Sequence, residues 1–236
     1  MITIVGTGHV FNITESMKFI IEQIWPQAVL VELDKGRYDL YSGEPVPEGE
    51  RSRYTEKDLP WIYRNAARYQ ARISKKNGVR TGNELITAVL AGRLVGAEVG
   101  FIDCDAIEAT VRMWDEMPFG ERFRYVLSTF RDRIGGRREA VRAAERITED
   151  EDRVIAEMRR RYPVMTRNLI DRRNEYMYGR ISGYIDRYDN VVIVVGDMHV
   201  TGLVSMLEGR EVRVIRFGDI INKERFDRIR RELWAE

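Results

Sequence analysis

The chain holds two histidines, His9 and His199, and each closes a Gly-x-x-His motif directly after an apolar run. Ile2-Thr-Ile-Val5 leads into Gly6-Thr-Gly-His9, and Val191 to Val195 leads into Gly196-Asp-Met-His199. Carboxylates stand at two further places of the same kind: Glu32 follows Ala28-Val-Leu-Val31, and Asp103 and Asp105 follow Val99-Gly-Phe-Ile102. Two imidazoles with one or more carboxylates are a common ligand set for a catalytic divalent cation such as zinc, manganese, cobalt or iron, which acidifies a bound water. A metal-free arrangement of the same residues uses one histidine as general base and the carboxylates as its orienters.

Positioning these groups requires strand ends. The β-branched runs read as buried strands, and Met17, Ile20, Ile21 and Ile24 recur at helical spacing between the first two. Asn12 or Thr14 supplies the N-cap of that helix and Pro26 closes it. Strand, helix, strand in this order makes a βαβ unit with parallel strands and a right-handed crossover. The end of the sequence repeats it, with Val191 to Val195, Gly-x-x-His, a helix to Glu208 and a strand from Val212 to Ile215. The fold class is therefore α/β, with two βαβ-type halves sharing a central, mostly parallel sheet. In such a sheet the carboxyl ends of the strands share one edge, where ligands bind.

The connecting stretches are less regular. Residues 41–54 carry Gly43, Pro45, Pro47 and Gly49 among charges, which suits a surface loop or lid. A helix is expected over 58–76, with a basic stripe at Arg64, Arg68 and Arg72, and Thr81-Gly-Asn-Glu84 has the spacing of a capping box opening the next helix. Residues 106–186 read as helical, with breaks at Met117-Pro118, Gly135-Gly136 and Tyr162-Pro163. The organisation expected is one α/β domain over 1–236 with a mainly helical insertion at 106–186.

Composition narrows the partners. Lys and Arg number 39 against 38 Asp and Glu, a balance that argues against a nucleic-acid or membrane-surface binder. A single cysteine, Cys104, excludes an internal disulfide and fits a reducing compartment. Met1 runs straight into the first strand without a leader pattern, and the apolar runs fall far short of the about 20 residues that cross a bilayer. A cytoplasmic protein is expected, and an exposed helical subdomain would suit a homodimer.

Taken in order, several segments resemble the TraB/PrgY family, related to the TIKI metalloproteases and to the GumN and ChaN proteins. They are the two Gly-x-x-His motifs, Val31-Glu-Leu-Asp34 followed by Arg37, and Asp103-Cys-Asp105 with Thr110 and Arg112. Asp171-Arg-Arg173-Asn174-Glu-Tyr-Met177 is similar to its Arg-Asn/Asp-x-x-Met motif. The resemblance implies a metal-dependent hydrolase or protease site in which His9, His199 and Glu32 hold manganese, cobalt or zinc. It further implies Arg173 and Asn174 in the catalytic set. Arg37, Asp103, Asp105 and Arg112 are then expected at the substrate, a peptide or small acyl compound, with a guanidinium holding a carboxylate or developing oxyanion. The alternative is a non-catalytic protein of the same fold that binds a peptide or haem.

The chain departs from the family in carrying Cys104 where arginine is common. It also closes on the charged stretch 222–236 where many relatives have hydrophobic segments, so a role away from the membrane is expected. Two local expectations follow from chemistry alone. Glu32 at a buried strand end requires a partner, a metal or Arg37, whereas a structural Arg173 within a helix would pair with Asp171 or Glu175.

Overall fold

The five apolar runs are strands in the computed structural model, which describes residues 1–8, 12–43, 45–46, 48, 52–55, 57–64, 82–128 and 151–235. They are β1 (Ile2–Thr7), β2 (Ala28–Val31), β3 (Glu98–Phe101), β4 (Val191–Gly196) and β5 (Val212–Ile215). All pair parallel, in the order β3-β2-β4-β1-β5. The helices are α1 (Thr14–Ile24), α2 (Lys35–Ser42), α3 (Asn83–Leu94), α4 (Ala106–Glu116), α5 (Glu151–Arg161), α6 (Pro163–Thr166), α7 (Arg172–Ile185), α8 (Asp197–Met206), α9 (Phe217–Ile221) and α10 (Lys223–Trp234). A further helical stretch covers 119–128.

The strands β1, β2 and β4 are apolar along nearly their whole length because helices cover both faces of the sheet. Met17, Ile20 and Ile21 of α1, Val89 of α3 and Leu233 of α10 pack with Val5, Val29, Val192 and Val194 on one face. Met177 and Ile181 of α7 and Val200 and Leu203 of α8 pack with Ile4, Leu30 and Ile193 on the other. Adjacent strand residues thus enter opposite cores, as the two-residue repeat of a strand requires.

The topology brings the chemistry together. Although β1 and β2 are joined through α1, β4 lies between them, with Thr7 opposite Gly196 and Val31 opposite Val194. The chain leaves β1 for α1 on one face and leaves β4 for α8 on the opposite face. Diverging connections open a crevice at the carboxyl ends of these strands, the usual ligand position of open α/β sheets.

Helix boundaries follow local chemistry with some differences from the sequence reading. Asn12 does serve α1, accepting from the backbone N–H of Thr14 at 3.2 Å and from its hydroxyl at 2.6 Å, although Ile13 occupies the cap position. The helix stops on Trp25, left-handed at φ 48°, before Pro26. Helix α3 opens on Gly82 at φ 84°; Thr81, the first residue of the expected capping box, lies outside the described residues. Of the helix expected over 58–76, residues 58–59 are turn and bend ahead of Pro60, residues 61–64 are helical, and 65–76, with Arg68 and Arg72, lie outside the described residues.

No strand interrupts the described part of 106–186, and helices end at Met117-Pro118 and Tyr162-Pro163 as expected. Gly135-Gly136 lies outside the described residues. Met113, Met117, Tyr162 and Met165 form a separate small core there, joined by Tyr63, Trp114 and Tyr125. One feature was not foreseen: Arg167–Asp171 is a π-helical turn between α6 and α7. Such turns shift the phase of the helix that follows and recur at functional sites. No helix among the described residues is long and apolar enough to cross a membrane.

Candidate active site at the strand ends

Glu32 leaves β2 and is buried. Its backbone N–H extends the β2–β4 ladder by donating to Val194 O at 2.9 Å, which fixes the direction of its side chain. Oε2 accepts the backbone N–H of Gly196, the cap residue of α8, at 2.5 Å. A carboxylate at this position is favoured by the positive end of the helix dipole. Oε1 accepts Arg173 Nη2 at 2.5 Å. The partner that burial demands is therefore Arg173 and an N-terminal amide.

Arg173 is the hub of a buried ionic network. Its Nε and Nη2 also meet the two oxygens of Asp103 at 3.0 and 2.8 Å. Asp103 Oδ2 in addition accepts Arg37 Nη2 at 2.6 Å, and Arg37 is tied back to Asp34. Burial opposes the charge on Arg173, but Glu32 and Asp103 outweigh it and raise its pKa above the ordinary arginine range. Burial likewise opposes charge on Arg37, and Asp103 and Asp34 outweigh it. The local pairing expected of a structural Arg173 is absent from these contacts; Asp171 instead pairs with Arg159 at 2.7 Å.

His199 lies in the first turn of α8, buried between β4 and α7. Its Nδ1 is 2.6 Å from Asn174 Oδ1, and its Nε2 is 3.4 Å from Glu32 Oε1. Since an amide oxygen can only accept, Nδ1 carries a proton, and Nε2 is the nitrogen that faces Glu32. Asn174 reaches the imidazole because residue 202 is glycine: a Cβ there would lie 2.1 Å from Asn174 Nδ2. Residue 202, one turn beyond the motif, is a positioning element that the sequence reading missed.

Close approach also explains the first motif glycine. A Cβ on Gly6 would stand 1.6 Å from Asp197 Oδ1, which accepts the Phe217 N–H at 2.9 Å and joins β1, α8 and α9. Asp197, inside the second motif, is thus engaged structurally.

The other expected site residues divide. His9 lies outside the described residues; β1 ends two residues before it, with Thr7 opposite Gly196. Asp105 caps α4, accepting from Ile107 and Glu108 N–H at 2.9 and 3.1 Å. Arg37, Asp103, Asp105, Arg112 and Arg173 all line one cleft of about 1340 Å³ between α2, α4 and α7. Cys104 lines it too, its thiol pushed up to about 11 by burial and the neighbouring Asp103 carboxylate.

A signal for part of this arrangement was present in the helix itself. Glu116 closes α4 and takes hydrogen bonds from Arg172 at 2.7 Å, Asn168 at 3.0 Å and Arg167 at 3.2 Å. It clamps the π turn directly ahead of Arg173 and Asn174.

A five-stranded parallel sheet with a buried carboxylate–imidazole pair in the crevice of diverging connections defines the class: an α/β protein with its site at the strand ends. Within that class residues 1–216 match the TraB/PrgY/gumN family, and the chain belongs to it. It is also similar to an uncharacterized protein, MJ1365, of Methanocaldococcus jannaschii, with 25% identity over 218 residues. That match covers 89% of this chain and 54% of the relative, so the chain spans about half the length of that protein.

Proposed function

We propose that the chain is a metal-dependent hydrolase of a peptide or other acyl bond, with His199, Glu32 and His9 as the ligands of a divalent transition metal. The observation that carries this reading is the 3.4 Å separation of His199 Nε2 and Glu32 Oε1. Two ligands bonded at about 2.1 Å to one tetrahedral ion stand about 3.4 Å apart. The hydrogen bond from Nδ1 to Asn174 supports it, because a ligating histidine commonly donates its second nitrogen to an acceptor that fixes the tautomer. Among the described residues no group of three His, Cys, Asp or Glu side chains is close enough to hold an ion. The reading therefore requires His9, which follows two residues after the end of β1 at Thr7, opposite Gly196.

A bound divalent cation would supply an acidified water and a polarised carbonyl. The chain's own residues do the remaining work. Asn174 holds the imidazole in one tautomer and orientation. Asp103 holds Arg173 with its guanidinium beside Glu32, where it stabilises negative charge developing on a substrate oxygen. Arg37 and Arg112 face the cleft for a substrate carboxylate. A cytoplasmic setting accompanies this reading, on the balanced charge and the single cysteine.

The test is a peptide and ester hydrolysis screen on metal-stripped protein reloaded with manganese, cobalt or zinc. Turnover should require the metal and be lost in His9→Ala and His199→Ala; full activity in both variants overturns the assignment. One contact favours the non-catalytic alternative: Arg173 already engages Glu32 Oε1. A metal-free protein that binds peptide or haem unchanged in both histidine variants would support that reading.

A further inference from the structure

Strand β3 is an edge, paired with β2 alone. In a parallel pair, alternate residues direct both backbone groups at the partner. The N–H of Glu98 donates to Gln27 O at 2.9 Å, and that of Ile102 donates to Val31 O at 3.0 Å. Even-numbered residues of β3 thus bond to β2, and the N–H and C=O groups of Val99 and Phe101 face away from the sheet. Among the described residues nothing bonds those N–H groups.

The side chains of the two residues are engaged elsewhere. Val99 packs against Gly92 of α3, and the Phe101 ring lies 4.8 Å from that of Tyr38. What remains on the edge is backbone. Proteins usually block open edges with lysine, proline or a bulge. β3 carries neither of those residues, and its one charge, Glu98, is drawn off by Arg187 and Tyr188.

The large cleft runs along this edge. Val99 and Phe101 line it, with Leu40 and Val46 also in its wall and Tyr176, Arg180 and Tyr184 contributed by α7; Asp103 and Arg173 line it as well. Its volume of about 1340 Å³ exceeds the about 300–1,000 Å³ of ordinary small-molecule pockets.

We infer that the cleft takes an extended peptide, which adds to β3 as a further strand by bonding the outward groups of Val99 and Phe101. Main-chain pairing gives affinity and alternate side chains give specificity. One set of peptide side chains meets Leu40 and Val46 and is apolar. The other meets Tyr176, Tyr184 and Arg180; Arg180 has no ion pair among the described residues, so it selects aspartate or glutamate. The edge carries the peptide towards Asp103 and Arg173. The inference rests on the hydrolase reading for the fate of the peptide and is independent of it for binding.

The test uses the full-length His199→Ala chain, so that nothing is cleaved, and fluorescence anisotropy with a labelled Ala-Asp-Val-Asp-Val-Asp-Val peptide. Two further peptides carry N-methyl groups on one or the other alternate set of amides. Methylation of one set should abolish binding and that of the other should leave it unchanged, the signature of a strand bonded along one edge. Val99→Pro removes an outward N–H at a place where an edge strand tolerates proline, and should weaken binding about fivefold, the effect of one hydrogen bond. Arg180→Glu should weaken the aspartate peptide and favour its lysine counterpart.

Binding indifferent to both N-methyl sets and to Val99→Pro, or no binding of any peptide, overturns the inference. Circular dichroism establishes whether Val99→Pro is folded, and if it is not, the N-methyl series decides. Binding with the alternate pattern but no turnover by the unsubstituted chain retains this inference and removes the hydrolase reading. Turnover without the pattern does the reverse.

Discussion

Glu32 Oε1 lies 3.4 Å from His199 Nε2 while accepting a hydrogen bond from Arg173. The carboxylate is thereby held between an imidazole nitrogen and a fixed cation, its other oxygen on the Gly196 amide.

Asn174→Ala removes the acceptor of His199 Nδ1. Affinity for a metal at the proposed site should fall by about 10–100-fold, the usual effect of losing a ligand's supporting hydrogen bond. Calorimetric titration with zinc or manganese measures it, with thermal unfolding as a check that the fold persists.

Arg173→Met leaves Glu32 and Asp103 buried together without their shared cation. A loss of about 3–5 kcal/mol is expected, as when one partner of a buried pair is deleted, and is read by urea denaturation. Because the Arg173 pKa is raised, its contribution is complete below the ordinary arginine range and lost only above it. The size of the loss should therefore be constant from about pH 6 to 10.

Glu116 is held down to about 2 by hydrogen bonds from Arg172 and Asn168, with Arg167 adding to them. A carboxyl with a depressed pKa stabilises the fold above its ordinary value, and that contribution disappears as pH falls towards the folded value. Denaturation across about pH 5 to 2 should show this loss in the unsubstituted chain and a flatter curve in Glu116→Gln. The difference should be about 1 kcal/mol or less, because the pair is partly exposed and screened.

Gly202→Ala and Gly6→Ala separate site from scaffold. The first drives a Cβ against Asn174 and should weaken metal binding with modest loss of stability. The second drives one onto Asp197 Oδ1 and should cost about 1–3 kcal/mol, as overpacking does. Titration and denaturation of both variants test the contrast.

Cys104, with its thiol raised to about 11, should react slowly with iodoacetamide at neutral pH and faster as pH rises towards that value. Cys104→Ala should retain turnover. Rapid alkylation at neutral pH would contradict the electrostatic picture of the cleft.

Much of the scaffold was legible because β-branched runs announce buried strands, and all five lie where the pattern places them. That β4 separates β1 from β2 was not, since strand order depends on long-range pairing. Glu32 was recognisable as a buried carboxylate, but its partner was not. Local helix spacing brings Asp171 and Glu175 within reach of Arg173, whereas the π turn and the packing of α7 direct it to Glu32 and Asp103. Asp105, expected at the substrate, lines the cleft and also caps α4, a second role that its place after a strand did not announce. Nothing local in the sequence marks Gly6 and Gly202 as the places that admit the side chains of Asp197 and Asn174, because both approaches are made across the fold.

The central claim is that His9, His199 and Glu32 form one metal site. Titration of the metal-stripped chain with cobalt(II), followed by visible absorption, tests it most directly. The account predicts one equivalent bound with a low-symmetry spectrum, and loss of that binding in each of His9→Ala, His199→Ala and Glu32→Gln. Unchanged stoichiometry and spectrum in those variants would contradict it.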